Sequence, residues 1–165
     1  MLQLVTILVI ALLTAADQII KVIVLEHLKP IGSYCLINNF LSLTYVENTG
    51  AAFGSFDSHT AVLSIITAVV LVVGLFYLLT GKAPSKLIHG CVTVIVAGGL
   101  ANLIDRVFRG FVIDYISADF IDFPVFNFAD ILVTCGSFFL AALLIHDIIK
   151  ESGRKKAEKG ENVDE

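Results

Sequence analysis

Four long apolar runs constrain this chain more than any other feature. They cover residues 2–25, 61–79, 87–104 and 131–149, and a helix needs about 20 mostly apolar residues to cross hydrocarbon. Inside lipid the backbone has no water to bond, so such runs span as helices that satisfy their own N–H and C=O groups. The third is the shortest and carries the adjacent Gly98 and Gly99. At 57% hydrophobic residues the chain lies well above a soluble domain. The expected fold is an all-α membrane protein of four transmembrane helices. Only two connections of useful size remain, residues 26–60 and 105–130. Residues 1–150 therefore read as a single integral-membrane domain. The tail "ESGRKKAEKGENVDE" (151–165) reads as charged and disordered.

Charge placement orients the spans. Lys82 and Lys86 sit between spans two and three, and Lys150, Arg154, Lys155, Lys156 and Lys159 follow span four. The two larger connections hold only Lys29, Arg106 and Arg109. By the positive-inside rule both termini and the tail are cytoplasmic, and both larger connections face outward. Residues 1–16 resemble a cleavable signal peptide only at "LLTAAD". They lack an initial Lys or Arg and the apolar run continues past the site, so an uncleaved first span is expected.

Several function classes are set aside by the same inventory. A net charge of −4, with no basic stripe, gives no reason to expect a nucleic-acid partner. Three cysteines, Cys35, Cys91 and Cys135, are an odd count with two inside spans, which is unlike a disulfide framework. The four histidines are scattered without a paired-ligand spacing, so no metal site is expected.

Polar residues inside the apolar runs are the functional clues, because ionisable groups in a membrane are costly. Span one carries "ADQIIK", with Asp17 and Lys21 four residues apart on one helix face. Span three ends "VAGGLANLIDRVFRG": Gly98, Gly99 and Ala101 let a neighbouring helix approach, while Asn102 and Arg106 share a face. Residues 40–46 alternate at the period of a strand, so the first outward connection is expected to form a small extracytoplasmic β-sheet on the membrane surface. It ends in "ENTGAAFGSF", where Asn48 offers a donor and acceptors and Gly50 and Gly54 permit a tight backbone; taken alone, that segment is better read as an ordinary turn.

The stretch "FVIDYISADFIDFPVFNFAD" (111–130) holds four aspartates and no Lys or Arg. Asp119 and Asp122 are mid-loop and read as solvated. Asp114 follows span three and Asp130 precedes span four, so both sit at the same outer level and the connection can fold back to pair them. "NFAD" also opens span four as a capping box, with Asn127 as N-cap and Asp130 three residues on. Capping alone does not call for a second carboxylate at the same depth. Two carboxylates sharing a site hold one proton near neutrality, which is the chemistry of an aspartic protease.

These residues carry a resemblance. "DQIIK" (17–21), "ENTGAAFG" (47–54), "GGLANLIDR" (98–106), "VIDY" (112–115) and "FPVFNFAD" (123–130) resemble, in order, the motifs of the lipoprotein signal peptidases, signal peptidase II. The resemblance covers nearly the whole chain except the tail. It implies a multi-pass peptidase of the bacterial cytoplasmic (inner) membrane, with its site near the outer leaflet. It would cleave diacylglyceryl-modified prolipoproteins before the modified cysteine. The catalytic pair would be Asp114 and Asp130. Asn48, Asn102, Arg106, Asn127 and Ala129, with Asp17 and Lys21, would bind substrate or support the site. Ala101 departs from the family's usual glycine but removes no reacting group. The resemblance implies no cofactor and no metal; substrate and membrane lipid are the partners, and a monomer is expected. Three rivals remain: a transporter using Asp17, Asp114 and Asp130 as an ion path, a metal-dependent membrane enzyme, and a non-enzymatic assembly factor. The transporter would want polar residues through the whole bundle, and span two has almost none.

Overall fold

The computed structural model describes residues 1–50, 60–81 and 83–161. Gly54 lies outside the described residues. The main elements are α1 (Leu2–Ile23), β1 (Ser33–Ile37), β2 (Leu41–Asn48), α2 (Thr60–Thr80), α3 (Lys86–Arg109), β3 (Val112–Ala118) and α4 (Phe128–Glu161). All four helices are long and apolar enough to cross a membrane, which matches the four expected spans. Four crossings put both chain ends on one side and both larger connections on the other.

Helix α3 is the centre of the bundle and packs against the other three. Its ends are set locally. Ser85 caps the start by accepting from the Ile88 N–H at 3.2 Å, and Gly110 closes the end at φ 83°, a left-handed conformation that costs glycine little. Along α1 the buried residues are Thr6, Ile10, Thr14, Asp17 and Lys21, spaced three and four apart, and they continue as Val24 and Leu28. That stripe faces α3: the Thr14 hydroxyl donates to the Ala97 carbonyl, and Thr6 shares a hydrogen bond with His89. Helix α2 instead leaves most of its side chains exposed, as a lipid-facing helix does.

The paired glycines of span three work on two neighbours. A Cβ on Gly98 would lie 2.5 Å from the Ala129 carbonyl oxygen of α4, and one on Gly99 would lie 2.9 Å from Leu71 of α2. Gly98 thus lets the first turn of α4 rest against α3, which brings Asp130 to Asn102.

The strand period at 40–46 becomes β2, the middle strand of a three-stranded antiparallel sheet ordered β1-β2-β3. Its third strand comes from the second connection, within the stretch read as an aspartate-rich loop. Its register pairs Val46 with Asp114 and Asn48 with Val112. The sheet rests on the outer end of α1, where a five-residue π-helical turn, Val24–Leu28, buries Val24 and Leu28 against Ile113 and Tyr115. Two boundaries differ from expectation. Helix α3 runs to Arg109, so Asp105, Arg106 and Arg109 stand on helix. Helix α4 continues to Glu161 where a disordered tail was expected, because Lys, Arg, Glu and Ala are strong helix formers that extend a helix already started.

Candidate active site

Lys21 is completely buried on the last turn of α1. An ammonium has three hydrogens to donate and accepts nothing, and here each finds an oxygen. Asp17 Oδ2 lies at 2.9 Å, Asp105 Oδ2 at 2.7 Å and Asn102 Oδ1 at 2.9 Å. Asp17 and Asp105 are themselves fully buried, so these charges are shut off from water and must be satisfied inside the protein. Asp17 also accepts from the backbone N–H of Ala129 at 3.0 Å, which ties α1 to the start of α4. Asp105 accepts from the Ile113 backbone N–H and the Gln18 amide, and pairs with Arg109, itself bonded to Gln18. One carboxylate therefore joins α1, α3 and β3.

The lysine dictates what the asparagines do. Because Asn102 must turn its carbonyl to Lys21, its amide nitrogen faces away, and it donates to Asp130 Oδ1 at 2.8 Å. Asn127 is held in the same fashion. Its Oδ1 accepts the Asp130 backbone N–H at 2.9 Å while Asp130 Oδ2 accepts the Asn127 N–H at 3.0 Å, so the expected capping box is present. The Asn127 amide nitrogen is left to donate to Asp114 Oδ1 at 2.6 Å and Asn102 Oδ1 at 3.2 Å. Asn48 is anchored through Oδ1 by the Gly50 N–H, an ordinary turn contact, and its amide donates to Asp114 Oδ2 at 2.9 Å. Three amides thus aim N–H groups at two carboxylates, and none could point otherwise without breaking a second bond.

Asp114 and Asp130 arrive from different elements, the middle of β3 and the first turn of α4, and line one cavity of about 830 Å³. Asp114 is 2% exposed. Burial pushes its carboxyl up to about 6, and the neighbouring Asp130 charge adds to the rise, while the Asn48 and Asn127 amides oppose it. Burial likewise pushes the Tyr115 phenol up to about 12; its oxygen accepts the Phe128 N–H and stays protonated. Arg106 also lines the cavity, within electrostatic reach of Asp114, Asp130 and Asp105. Its Nε is buried without a partner among the described residues. The rest of the wall combines Glu47, Thr49, Gly50 and Asp122 with an apolar part: Val46, the loop Phe123 to Phe126, and Ile131, Thr134 and Cys135 of α4. These last three are exposed, so the cavity is open on the α4 side.

Every residue singled out from the sequence falls into this network or its cavity: Asp17, Lys21, Asn48, Asn102, Arg106, Asp114, Asn127, Ala129 and Asp130. Ala129 contributes through its backbone and through its contact with Gly98. Asp119 and Asp122 are exposed, though Asp122 lines the cavity rim and Asp119 accepts from Ser42 and Ser117. Sequence reasoning missed Asp105, Gln18 and Arg109. Asp105 and Arg109 share a helix face at i and i+4, and Asp105 is fully buried. The signal available was a second carboxylate beside a span that already contained a lysine needing anionic partners.

Comparisons with known proteins bear on the chain as a whole. The family model for signal peptidase (SPase) II matches residues 9–146. A lipoprotein signal peptidase of Clostridium acetobutylicum is 38% identical over 151 residues, 90% of this chain and 98% of that protein. One from Clostridioides difficile is 42% identical over 139 residues, 84% and 93% of the two chains. Among solved structures, a bacterial membrane enzyme determined by the in meso method superposes with a TM-score of 0.79 at 31% identity, covering 87% of this chain and 89% of its own. A family model that spans residues 9–146, and relatives 38% and 42% identical over nearly their whole length, mean that this chain belongs to the signal peptidase II family.

Proposed function

We propose that this protein is an aspartic endopeptidase that removes signal peptides from diacylglyceryl-modified prolipoproteins, cutting before the modified cysteine. One observation carries the reading: Asp114 and Asp130 line a single cavity and are bridged by amides whose donors have no other direction to point. Charge balance supports it. Asp17, Asp105, Asp114 and Asp130 face Lys21, Arg106 and Arg109, so the cluster is neutral when the pair holds one proton. Asp114 is the better place for that proton, since burial raises its pKa to about 6. Asp130 stands in the first turn of α4, where the helix dipole and its own cap favour negative charge.

In this mechanism Asp130 takes a proton from water, and the resulting oxygen nucleophile attacks the scissile carbonyl. Asp114 gives its proton to the developing oxyanion. Collapse of the tetrahedral diol breaks the C–N bond: Asp130 gives the leaving amine the proton it took from water, one diol hydroxyl returns its proton to Asp114 as the carbonyl re-forms, and the pair is back in its one-proton state. The lipid supplies depth: each buried methylene contributes about 0.8 kcal/mol, so the bilayer brings the modified cysteine to the level of the pair. The site lies near the outer leaflet of the cytoplasmic membrane, with both termini inside, and the protein acts as a monomer.

The decisive experiment incubates purified protein with a diacylglyceryl-modified prolipoprotein, beside Asp114→Asn and Asp130→Asn. The wild type releases a product beginning at the modified cysteine and cuts the unlipidated peptide far more slowly. Both variants remain folded and inert. Substantial turnover by either variant refutes the pair, and loss of activity with a strong chelator returns the metal-dependent alternative.

A further inference from the structure

Among the described residues outside the spans, exposed apolar side chains gather around one aromatic stack. The β1–β2 turn and the start of the β3–α4 loop come together there, with the rings of Phe40 and Phe120 stacked at 4.8 Å and 13°. The two segments are stapled: the Asp119 N–H donates to the Phe40 carbonyl at 3.0 Å, and the Ser42 hydroxyl donates to the Asp119 carboxylate. Asn39, at φ 55°, turns the hairpin so that Phe40 meets its partner. Around the stack Leu36, Ile37, Ile121 and Phe123 are 49–53% exposed, and the two stacked rings are 50% and 56% exposed. A soluble surface rarely holds so contiguous an apolar patch without an occupant.

The direction of β3 says what that occupant is. Val112 follows the end of α3 by three residues, and Ile116 pairs with Phe126, two residues before α4 begins. Both points therefore lie at the outer ends of spans. Four residues of strand cover roughly 13 Å, more than the usual 8–10 Å between packed helix axes. A strand of that length running from the end of α3 toward the start of α4 carries its last residues, and the tip beyond them, past the helix it approaches. The loop from Phe120 to Phe126 is apolar apart from Asp122, and its residues Phe123 to Phe126 line the same cavity as the exposed Ile131 and Cys135 of α4, so the patch leads on to the exposed face of that helix.

We propose that this tip, built on the Phe40–Phe120 stack, inserts into the adjoining leaflet at the level of the lipid carbonyls and anchors the sheet there. Aromatic rings favour that depth. No cation draws the tip to anionic headgroups, since neither 30–48 nor 110–130 contains a Lys or Arg. The exposed carboxylates of Asp119 and Asp122 stay at the headgroup level, so the anchor rests on apolar contact of the rings with acyl chains and glycerol backbones. Because β3 carries Asp114 as well as the overhang, the anchor also fixes the height of the cavity.

The chain contains no tryptophan, so one introduced ring reports its own surroundings. Full-length Phe120→Trp, Phe40→Trp and Phe139→Trp proteins are reconstituted in phosphatidylcholine or phosphatidylglycerol vesicles brominated near the carbonyl or the methyl ends of the chains. Phe139, exposed in the middle of α4, is the reference for full lipid contact. At positions 120 and 40, bromine near the carbonyl end should quench several-fold more than bromine near the methyl end or aqueous iodide, equally in both lipids. Position 139 should show the opposite order of bromines. Iodide quenching of both tip variants with no bromine effect overturns the proposal by placing the tip in water. Protection from both quenchers that fades on dilution in lipid also overturns it, since a second copy of the chain then covers the tip. The readout needs no cleavage, so it stands apart from the proposed activity, and either tip variant suffices if the other fails to fold.

Discussion

Replacing Asp114 by asparagine should make the protein more stable at alkaline pH relative to acid pH. The folded protein holds the Asp114 proton more tightly than the unfolded chain, at about 6 against an ordinary 3.8. Its carboxyl is therefore no burden below about pH 4. Between about 4 and 6 the unfolded chain releases its proton first, and wild-type stability falls; above 6 the loss is complete. A gap of about two pH units corresponds to roughly 3 kcal/mol. Asparagine has the same shape and no charge, so it escapes that loss. It has its own cost, because both Asp114 oxygens accept amide N–H groups, from Asn48 and Asn127. An asparagine must turn an NH2 toward one of them, leaving a buried donor unmatched at about 1–3 kcal/mol. The variant is then about 1–3 kcal/mol less stable than wild type near pH 4 and level or up to ~2 kcal/mol more stable near pH 8. The assay is reversible unfolding of both proteins in mixed micelles across that range. The decisive quantity is the swing of about 3 kcal/mol between the two ends, in which the hydrogen-bond cost cancels. A difference that stays constant with pH, or that moves in the opposite sense, refutes the desolvated carboxyl.

Three further outcomes follow from the same geometry. Lys21→Met strands the buried Asp17 and Asp105 and should lower unfolding free energy by about 3–5 kcal/mol; adding Asp17→Asn should restore part of it, measured as a double-mutant cycle. Gly98→Ala drives a methyl into the Ala129 carbonyl and should cost about 1–3 kcal/mol with a loss of cleavage, whereas Gly90→Ala, with nothing within 4 Å, should be neutral or stabilising by up to ~1 kcal/mol. Under the proposed roles kcat/KM should fall as pH rises through about 6, as the Asp114 proton is lost; a flat profile from about pH 5 to 8 removes Asp114 as the acid.

Much of this molecule was legible in one dimension. Apolar runs of span length leave a backbone in lipid no choice but helix, and that is a property of local sequence and solvent. The capping box of Asn127 and Asp130 is equally local, since its partners lie three residues apart. The alternation at 40–46 announced a strand for the same reason. What the sequence could not say is where long-range partners fall. Strand β3 lay hidden within an aspartate-rich connection because its pairing with β2 joins residues some 66 positions apart. Asp105 read as an interface charge until packing of α1 on α3 set it against Lys21, 84 positions away. The direction of each asparagine amide depends on that same packing: only a buried ammonium, which donates and never accepts, forces Asn102 to present its NH2 to Asp130. Local sequence thus supplied the spans, the cap and the two candidate acids. The tertiary structure decided which groups are buried together, and burial is what lifts the Asp114 carboxyl above its ordinary range.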